Sequence, residues 1–227
     1  MNRNILVVAA HPDDEVLGLG GTVRKWCNEG AEIHAVILAQ GITSRGDTGE
    51  SLDIELANLR GQARRSADIV GYQEVLFENL PDNRMDNIDL LDITRIIEKY
   101  INNFKPQVVL THHHGDLNID HQLTYQAVLT ACRPMLGCSV KELYTFETLS
   151  SSEWNFPYYK NGFSPNLFVD ITDTIQVKLE AVGCYTSEIR QAPHPRSLGV
   201  IKDAATRWGS VAGFSYAEPF EQIFRLM

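Results

Sequence analysis

The chain has no apolar run approaching the roughly 20 residues that span a bilayer, and no tract rich in Lys and Arg. The first absence excludes a helical membrane span. The second, with a formal net charge of −9, excludes the clustered cations that grip nucleic-acid phosphates, so small or neutral partners fit better. The four cysteines, Cys27, Cys132, Cys138 and Cys184, contain no CxxC pair. Neither a zinc ribbon nor a disulfide framework is indicated, and free thiols are expected. No internal repeat, low-complexity tract or linker is visible, and one domain over residues 1–227 is expected. Met1-Asn2-Arg3-Asn4 leads straight into an apolar run without the pattern of a secretory signal, which sets a cytoplasmic location as the expectation.

What the chain does have is alternation. Strand-like runs rich in Val, Ile, Leu and Phe fall at about residues 4–10, 32–39, 74–80, 107–112, 142–149 and 166–171. Helix-length segments separate them: Gly21 to Glu29, Ile54 to Val70, Asp89 to Asn102, His121 to Cys132, Ile175 to Ile189 and Ser197 to Trp208. The pattern predicts an α/β fold, a Rossmann-like, doubly wound three-layer sandwich on a mostly parallel sheet. Two polar stretches, Gln40 to Ser51 and Pro81 to Asn87, follow the second and third strands and are the expected substrate loops. Gly18-Leu19-Gly20-Gly21 invites comparison with a dinucleotide fingerprint, but the strand-to-helix turn before it holds carboxylates instead of glycines. A tight helix entry explains these glycines more simply.

Two clusters carry the chemistry. Ile5-Leu6-Val7-Val8-Ala9 runs directly into Ala10-His11-Pro12-Asp13-Asp14-Glu15, and Val108-Val109-Leu110 opens into Thr111-His112-His113-His114-Gly115-Asp116-Leu117-Asn118-Ile119-Asp120-His121. Together they hold five of the seven histidines. A parallel sheet brings both strand ends to one edge, where carboxylates this close together need a cation or hydrogen bonds to offset desolvation. His11, Asp14 and His121 could supply the three protein ligands of a hydrolytic zinc site. Asp13 would then stand unligated beside the metal's water, placed to accept its proton. Asp120 is read as orienting a second imidazole or the substrate, with a helix N-cap as its structural alternative. His112 and His114 would share a strand face, and His34 is read as structural.

AHPDDE, the sequence THHHGDLNIDH and a late Ser215-Tyr216-Ala217-Glu218-Pro219-Phe220 together resemble the PIG-L (LmbE-like) family of zinc-dependent deacetylases. Tyr185-Thr186-Ser187-Glu188 and His194-Pro195-Arg196-Ser197 add to the likeness. The resemblance implies hydrolysis of an N-acetyl group from an amino sugar of the N-acetylglucosamine type. It places zinc, or another divalent metal such as Fe2+ or Co2+, on His11, Asp14 and His121, with Asp13 as general base. It also directs Arg60 toward substrate, where a guanidinium would favour a phosphate or carboxylate group.

One departure stands out: several family members carry a histidine three positions before the final ligand, and this chain has Asn118. An amide cannot act as a general acid, so protonation of the leaving amine passes to Asp13 after it has gained a proton, assisted by His194, or to His112. Three other readings stay open: an amidase acting on a non-sugar or thiol-conjugate amide, a catalytically silent sugar-binding protein, and a non-haem iron oxygenase built on the same ligand triad. Apolar helix stripes also leave a homo-oligomer open.

Overall fold

The computed structural model describes residues 3–42, 50–156 and 162–227. Part of the Gln40 to Ser51 loop and of the aromatic segment Trp154 to Tyr159 therefore lies outside the described residues. A seven-stranded sheet forms the middle layer: β1 (Asn4–Ala9), β2 (Glu32–Ala39), β3 (Glu74–Leu80), β4 (Val108–His112), β5 (Glu142–Phe146), β6 (Leu167–Asp170) and β7 (Ala217–Arg225). The helices are α1 (Asp14–Leu17), α2 (Gly20–Asn28), α3 (Glu50–Val70), α4 (Leu90–Phe104), α5 (Ile119–Ala131), α6 (Ile175–Gly183) and α7 (Leu198–Ala212).

The period of two in β1 assigns the layers. Ile5, Val7 and Ala9 face a core completed by α1, α2, α3, α6 and α7, while Leu6 and Val8 face the core of α4 and α5. The strand order is β3-β2-β1-β4-β5-β7-β6, with β1 parallel to both β2 and β4. The chain moves outward from β1 to β3, then returns to place β4 on the other flank of β1. That reversal between β1 and β4 is a topological switch point, where the loops beyond the strand ends part and leave a crevice. Both chemical clusters open there.

The sheet is not wholly parallel. β7 runs antiparallel between β5 and β6, pairing Phe146 with Phe220 and Phe168 with Pro219. The sequence pattern hides it because Glu218, Pro219, Glu221 and Gln222 break the apolar run, and proline argues against an inner strand. The fifth helix-length segment also shortens, since α6 ends at Gly183, well before Ile189. All four cysteines are free, and Cys132 is buried.

The glycines at the first helix entry meet the packing explanation. A Cβ on Gly20 would lie 2.6 Å from Val16 Cγ2, and one on Gly21 2.9 Å from Ile171. The N-terminus of α2 holds no space for a phosphate, because the Glu218 carboxylate already accepts the Gly21 and Thr22 N–H groups at 3.0 and 2.6 Å.

Candidate metal centre

Three ligand atoms converge at the switch point. His11 Nδ1 lies 3.2 Å from His121 Nε2 and 3.4 Å from Asp14 Oδ2, and His121 Nε2 lies 3.3 Å from the same carboxylate oxygen. Donors about 2.0–2.1 Å from a tetrahedral zinc stand about 3.3–3.4 Å apart, so the triangle has the size that such an ion requires. Asp14 Oδ1 is buried without a hydrogen-bond partner among the described residues, a cost that a cation would remove.

The surrounding carboxylates favour one tautomer of each imidazole. His11 Nε2 lies 3.0 Å from Asp120 Oδ2 and 3.2 Å from Asp82 Oδ1, while His121 Nδ1 lies 3.1 Å from Asp116 Oδ1. With those nitrogens protonated toward carboxylates, His11 Nδ1 and His121 Nε2 turn lone pairs toward the centre. Asp120 is itself held by the Asn83 and Met85 N–H groups at 2.7 and 3.0 Å. It is not the helix cap. Asn118 takes that place, accepting the Asp120 N–H at 2.8 Å.

The electrostatics are those of a cation site. Burial disfavours protonation of His11, but hydrogen bonds to Asp120 and Asp14 outweigh it and push its pKa to about 10. For His121, burial is likewise outweighed by Asp14 and Asp116, giving about 9. Burial raises Asp14, yet the His121, His112 and His11 imidazoles hold it well below the usual carboxylate range. Protons on imidazoles thus stand where a divalent ion would.

His112 belongs to the support of this site and not to its lining. Its ring is fully buried and stacks on His121 with centroids 3.9 Å apart. Nε2 accepts the Ala10 N–H at 2.9 Å and Nδ1 meets Thr148 Oγ1 at 3.2 Å, so no lone pair remains for a metal or a substrate. Burial and the neighbouring His121 push its pKa down to about 3. Arg60 lies apart from the triangle: its guanidinium donates to Asn79 Oδ1 at 2.6 Å and sits 5.4 Å from the Phe77 ring, on the outer edge of the sheet. His194 packs edge-on against Trp154 and accepts the Arg196 N–H at 3.0 Å, so it does not line the cleft.

The cleft over the triangle measures about 190 Å³, and Asp13, Asp82, Asn83, Asn118, Ser150 and Arg196 are among its lining residues. A larger cleft, about 480 Å³, lies at the opposite edge of the sheet beside Lys105 and Arg133. It has no cluster of metal-ligating groups among the described residues, and the chemistry favours the smaller one.

Asp13 is buried and adopts φ 106°, a left-handed conformation that costs a non-glycine residue about 1–3 kcal/mol. Glu15 Oε2 accepts its N–H at 3.0 Å, and Arg196 Nη1 donates to its Oδ2 at 2.8 Å. Burial pushes the Asp13 pKa well above the usual value, and Asp14, Glu188 and Glu15 add to this against the opposing Arg196. Arg196, Asp116, Asp82 and Glu188 are the members that sequence reasoning did not assign. The segment His194-Pro195-Arg196-Ser197 was the one available signal for Arg196.

Residues 6–132 match the family model PIG-L, described as GlcNAc-PI de-N-acetylase. The chain is 28% identical over 224 residues to the diacetylchitobiose deacetylase of Thermococcus kodakarensis, covering 95% of this chain and 81% of that one. It is 23% identical to a 1D-myo-inositol 2-acetamido-2-deoxy-alpha-D-glucopyranoside deacetylase of a Mycobacterium species, over 88% and 79% of the two chains. Among solved structures, N,N'-diacetylchitobiose deacetylase from Pyrococcus horikoshii superposes with a TM-score of 0.79 at 21% identity, covering 97% and 84%. A 4-carboxy-2-hydroxymuconate hydratase, GalB of Pseudomonas putida, superposes with a TM-score of 0.77 at 23% identity over 99% and 98%, so this fold alone does not fix the reaction. The family model, which spans more than half of the sequence, together with the motifs at both strand ends, shows that the chain belongs to the PIG-L family.

Proposed function

We propose that the protein is a metal-dependent N-deacetylase that hydrolyses the acetamide of an N-acetylated amino sugar. The observation that carries this reading is the zinc-sized triangle of His11, Asp14 and His121 with an unligated Asp13 beside it. His11, Asp14 and His121 would hold a divalent cation there, and such an ion would acidify water and polarise an amide carbonyl. The nitrogen and carboxylate donor set suits zinc, and Fe2+ or Co2+ are chemically acceptable in it.

This chain's own residues do the rest. Asp13 takes the proton of the attacking water and holds it within the buried wall of the cleft. When the C–N bond breaks, the amine needs that proton back. Asn118 cannot give one, His112 is sealed beneath His121, and His194 is turned against Trp154, so Asp13 returns it. Asp120 and Asp116 keep the two imidazoles oriented throughout.

A sugar substrate is supported by the names of the relatives and by the lining. Asp82, Asn83, Asn118 and Ser150 offer acceptors and donors suited to hydroxyl groups. Arg60, the anion-recognising group expected from the resemblance, donates to Asn79 and is not among the residues that line the cleft. The test is acetate release from free, nucleotide-linked and lipid-linked N-acetyl amino sugars by zinc-loaded protein, beside Asp13→Asn. Release is expected from at least one member, falling about 10²–10⁴-fold in the variant with its zinc retained. No release from any member by protein that holds one zinc per chain would overturn the deacetylase reading in favour of a different amide or a silent binding protein.

A further inference from the structure

Arg196 reaches Asp13 from 183 positions along the chain and is anchored on every side. Its Nη1 donates to Asp13 Oδ2 at 2.8 Å and lies 3.5 Å from Glu188 Oε2, while Nε donates to Ser150 Oγ at 2.7 Å. The backbone N–H donates to His194 Nδ1, and the next residue, Ser197, caps α7 through an Oγ that accepts the Val200 N–H at 3.3 Å. The side chain therefore leaves a fixed helix start and spends the two edges of its guanidinium on two different partners.

Asp13 is gripped from the other side as well. Its N–H is held by Glu15 Oε2, and Glu15 is in turn held by the Tyr185 hydroxyl on Oε1 and by the Tyr72 hydroxyl, which donates to its carbonyl oxygen at 2.9 Å. With Oδ2 committed to Arg196, Asp13 Oδ1 makes no hydrogen bond among the described residues.

We propose that Arg196 is a positioning residue: by occupying Asp13 Oδ2 it fixes the carboxylate in the strained loop and leaves Oδ1 as the oxygen that accepts the water's proton. The proposal rests on the assignment of Asp13 as the base. A guanidinium suits this task better than an ammonium, because one planar group must satisfy Asp13 and Ser150 at once. Its partner Glu188 supplies a second carboxylate, so the guanidinium stays held if Asp13 becomes neutral during turnover.

The test compares wild type, Arg196→Ala and Arg196→Lys as full-length zinc-loaded chains, with crystal structures of the same three proteins in metal-free form. In Arg196→Ala, kcat is expected to fall about 10²-fold with KM changed by less than about twofold, as for loss of a group that aims the base. Methylguanidinium at millimolar concentration is expected to restore about tenfold of that loss by refilling the vacated place beside Asp13. Arg196→Lys, which keeps the charge and folds even if the alanine variant does not, is expected to fall between the two. The metal-free alanine variant is expected to show the Asp13 carboxylate displaced by about 1 Å or more.

A carboxylate that stays in place, or a kcat within about threefold of wild type, would overturn the proposal. So would a loss confined to KM, which would make Arg196 a substrate contact. If the wild type releases no acetate, the deacetylase reading fails by itself, and the crystallographic comparison still decides whether Arg196 holds Asp13.

Discussion

Two of the buried ionic nodes among the described residues are built to opposite rules. At the entry of α2, Lys178 Nζ meets Glu218 Oε1 at 2.6 Å, and both oxygens of Glu218 accept backbone N–H groups of the helix start. Every polar atom of that carboxylate is used. Beyond β1 and β4, His11, Asp14 and His121 crowd among Asp82, Asp116 and Asp120, yet Asp14 Oδ1 has no hydrogen-bond partner among the described residues and Asp13 is held at φ 106°. The closed node ties the helices α2 and α6 to the strand β7. The open node leaves an interaction unmade inside the protein, and such a deficit is tolerated where a ligand completes it.

The sharpest way to break this comparison is at the closed node. Lys178→Met removes the only cation facing Glu218 among the described residues and leaves a carboxylate buried in the sheet. Breaking a buried pair in this manner costs about 3–5 kcal/mol, and for a chain of this length a melting temperature lower by about 10 °C is expected in calorimetry. Zinc content per folded chain should not change. A Lys178→Met protein as stable as wild type would mean that the helix N-terminus alone compensates Glu218.

The open node is expected to respond in the other currency. Asp116→Asn keeps the side chain's shape, but the amide no longer supplies the charge that fixes the His121 tautomer across 3.1 Å. Loss of such a partner lowers metal affinity about 10–100-fold, measurable by chelator competition, while the melting temperature of the metal-free protein shifts far less than in Lys178→Met. Equal thermal losses at the two nodes would erase the distinction between them.

The same contrast explains what could be read from the sequence. Ile5 to Ala9 and Val108 to Leu110 announce central strands because both faces are buried; His11, Asp13 and Asp14 follow the first within a few residues, while His121 lies eleven residues past the second, on α5, and is brought to them by the parallel pairing of β1 with β4. β7 was illegible because Glu218 and Glu221 serve polar partners, Gly21 and Thr22 for one and His113 and Thr145 for the other, instead of the apolar pattern of a strand. His112 offers itself in the sequence as a proton donor because its residue type says nothing of the Ala10 N–H that occupies it. Arg196 was hidden by distance along the chain: only the sheet's closure through α7 and β7 brings its segment to Asp13.

Acidity gives a third test. His11 and His121 carry pKa values of about 10 and about 9 in the metal-free fold, above the ordinary 6.5. Groups raised on folding stabilise the protein fully below pH 6.5, and that contribution is lost as the pH rises through 9 to 10. The metal needs the same nitrogens free of protons, so its affinity climbs over this range by about tenfold per pH unit for each proton displaced. The gap in melting temperature between zinc-loaded and metal-free protein should therefore widen from pH 6.5 to pH 9. A constant gap would show that zinc displaces no protons from these imidazoles.

The smallest expected effect sharpens the border of the open node. Arg60 and Arg196 are both arginines that could serve a sugar hydrolase, and composition cannot choose between them. Arg60 extends along α3 to Asn79 and the Phe77 ring at the outer strand, whereas Arg196 enters the cleft and pairs with Asp13. An exposed cation–π contact and one hydrogen bond contribute about 0.5–1.5 kcal/mol each, so Arg60→Ala should cost little stability. Its kcat/KM on an N-acetyl amino sugar should stay within about twofold of wild type, and its selectivity between neutral and phosphate-bearing substrates should not move. A tenfold loss confined to anionic substrates would return Arg60 to the binding surface, and would require α3 and the β3 edge to rearrange when substrate is bound.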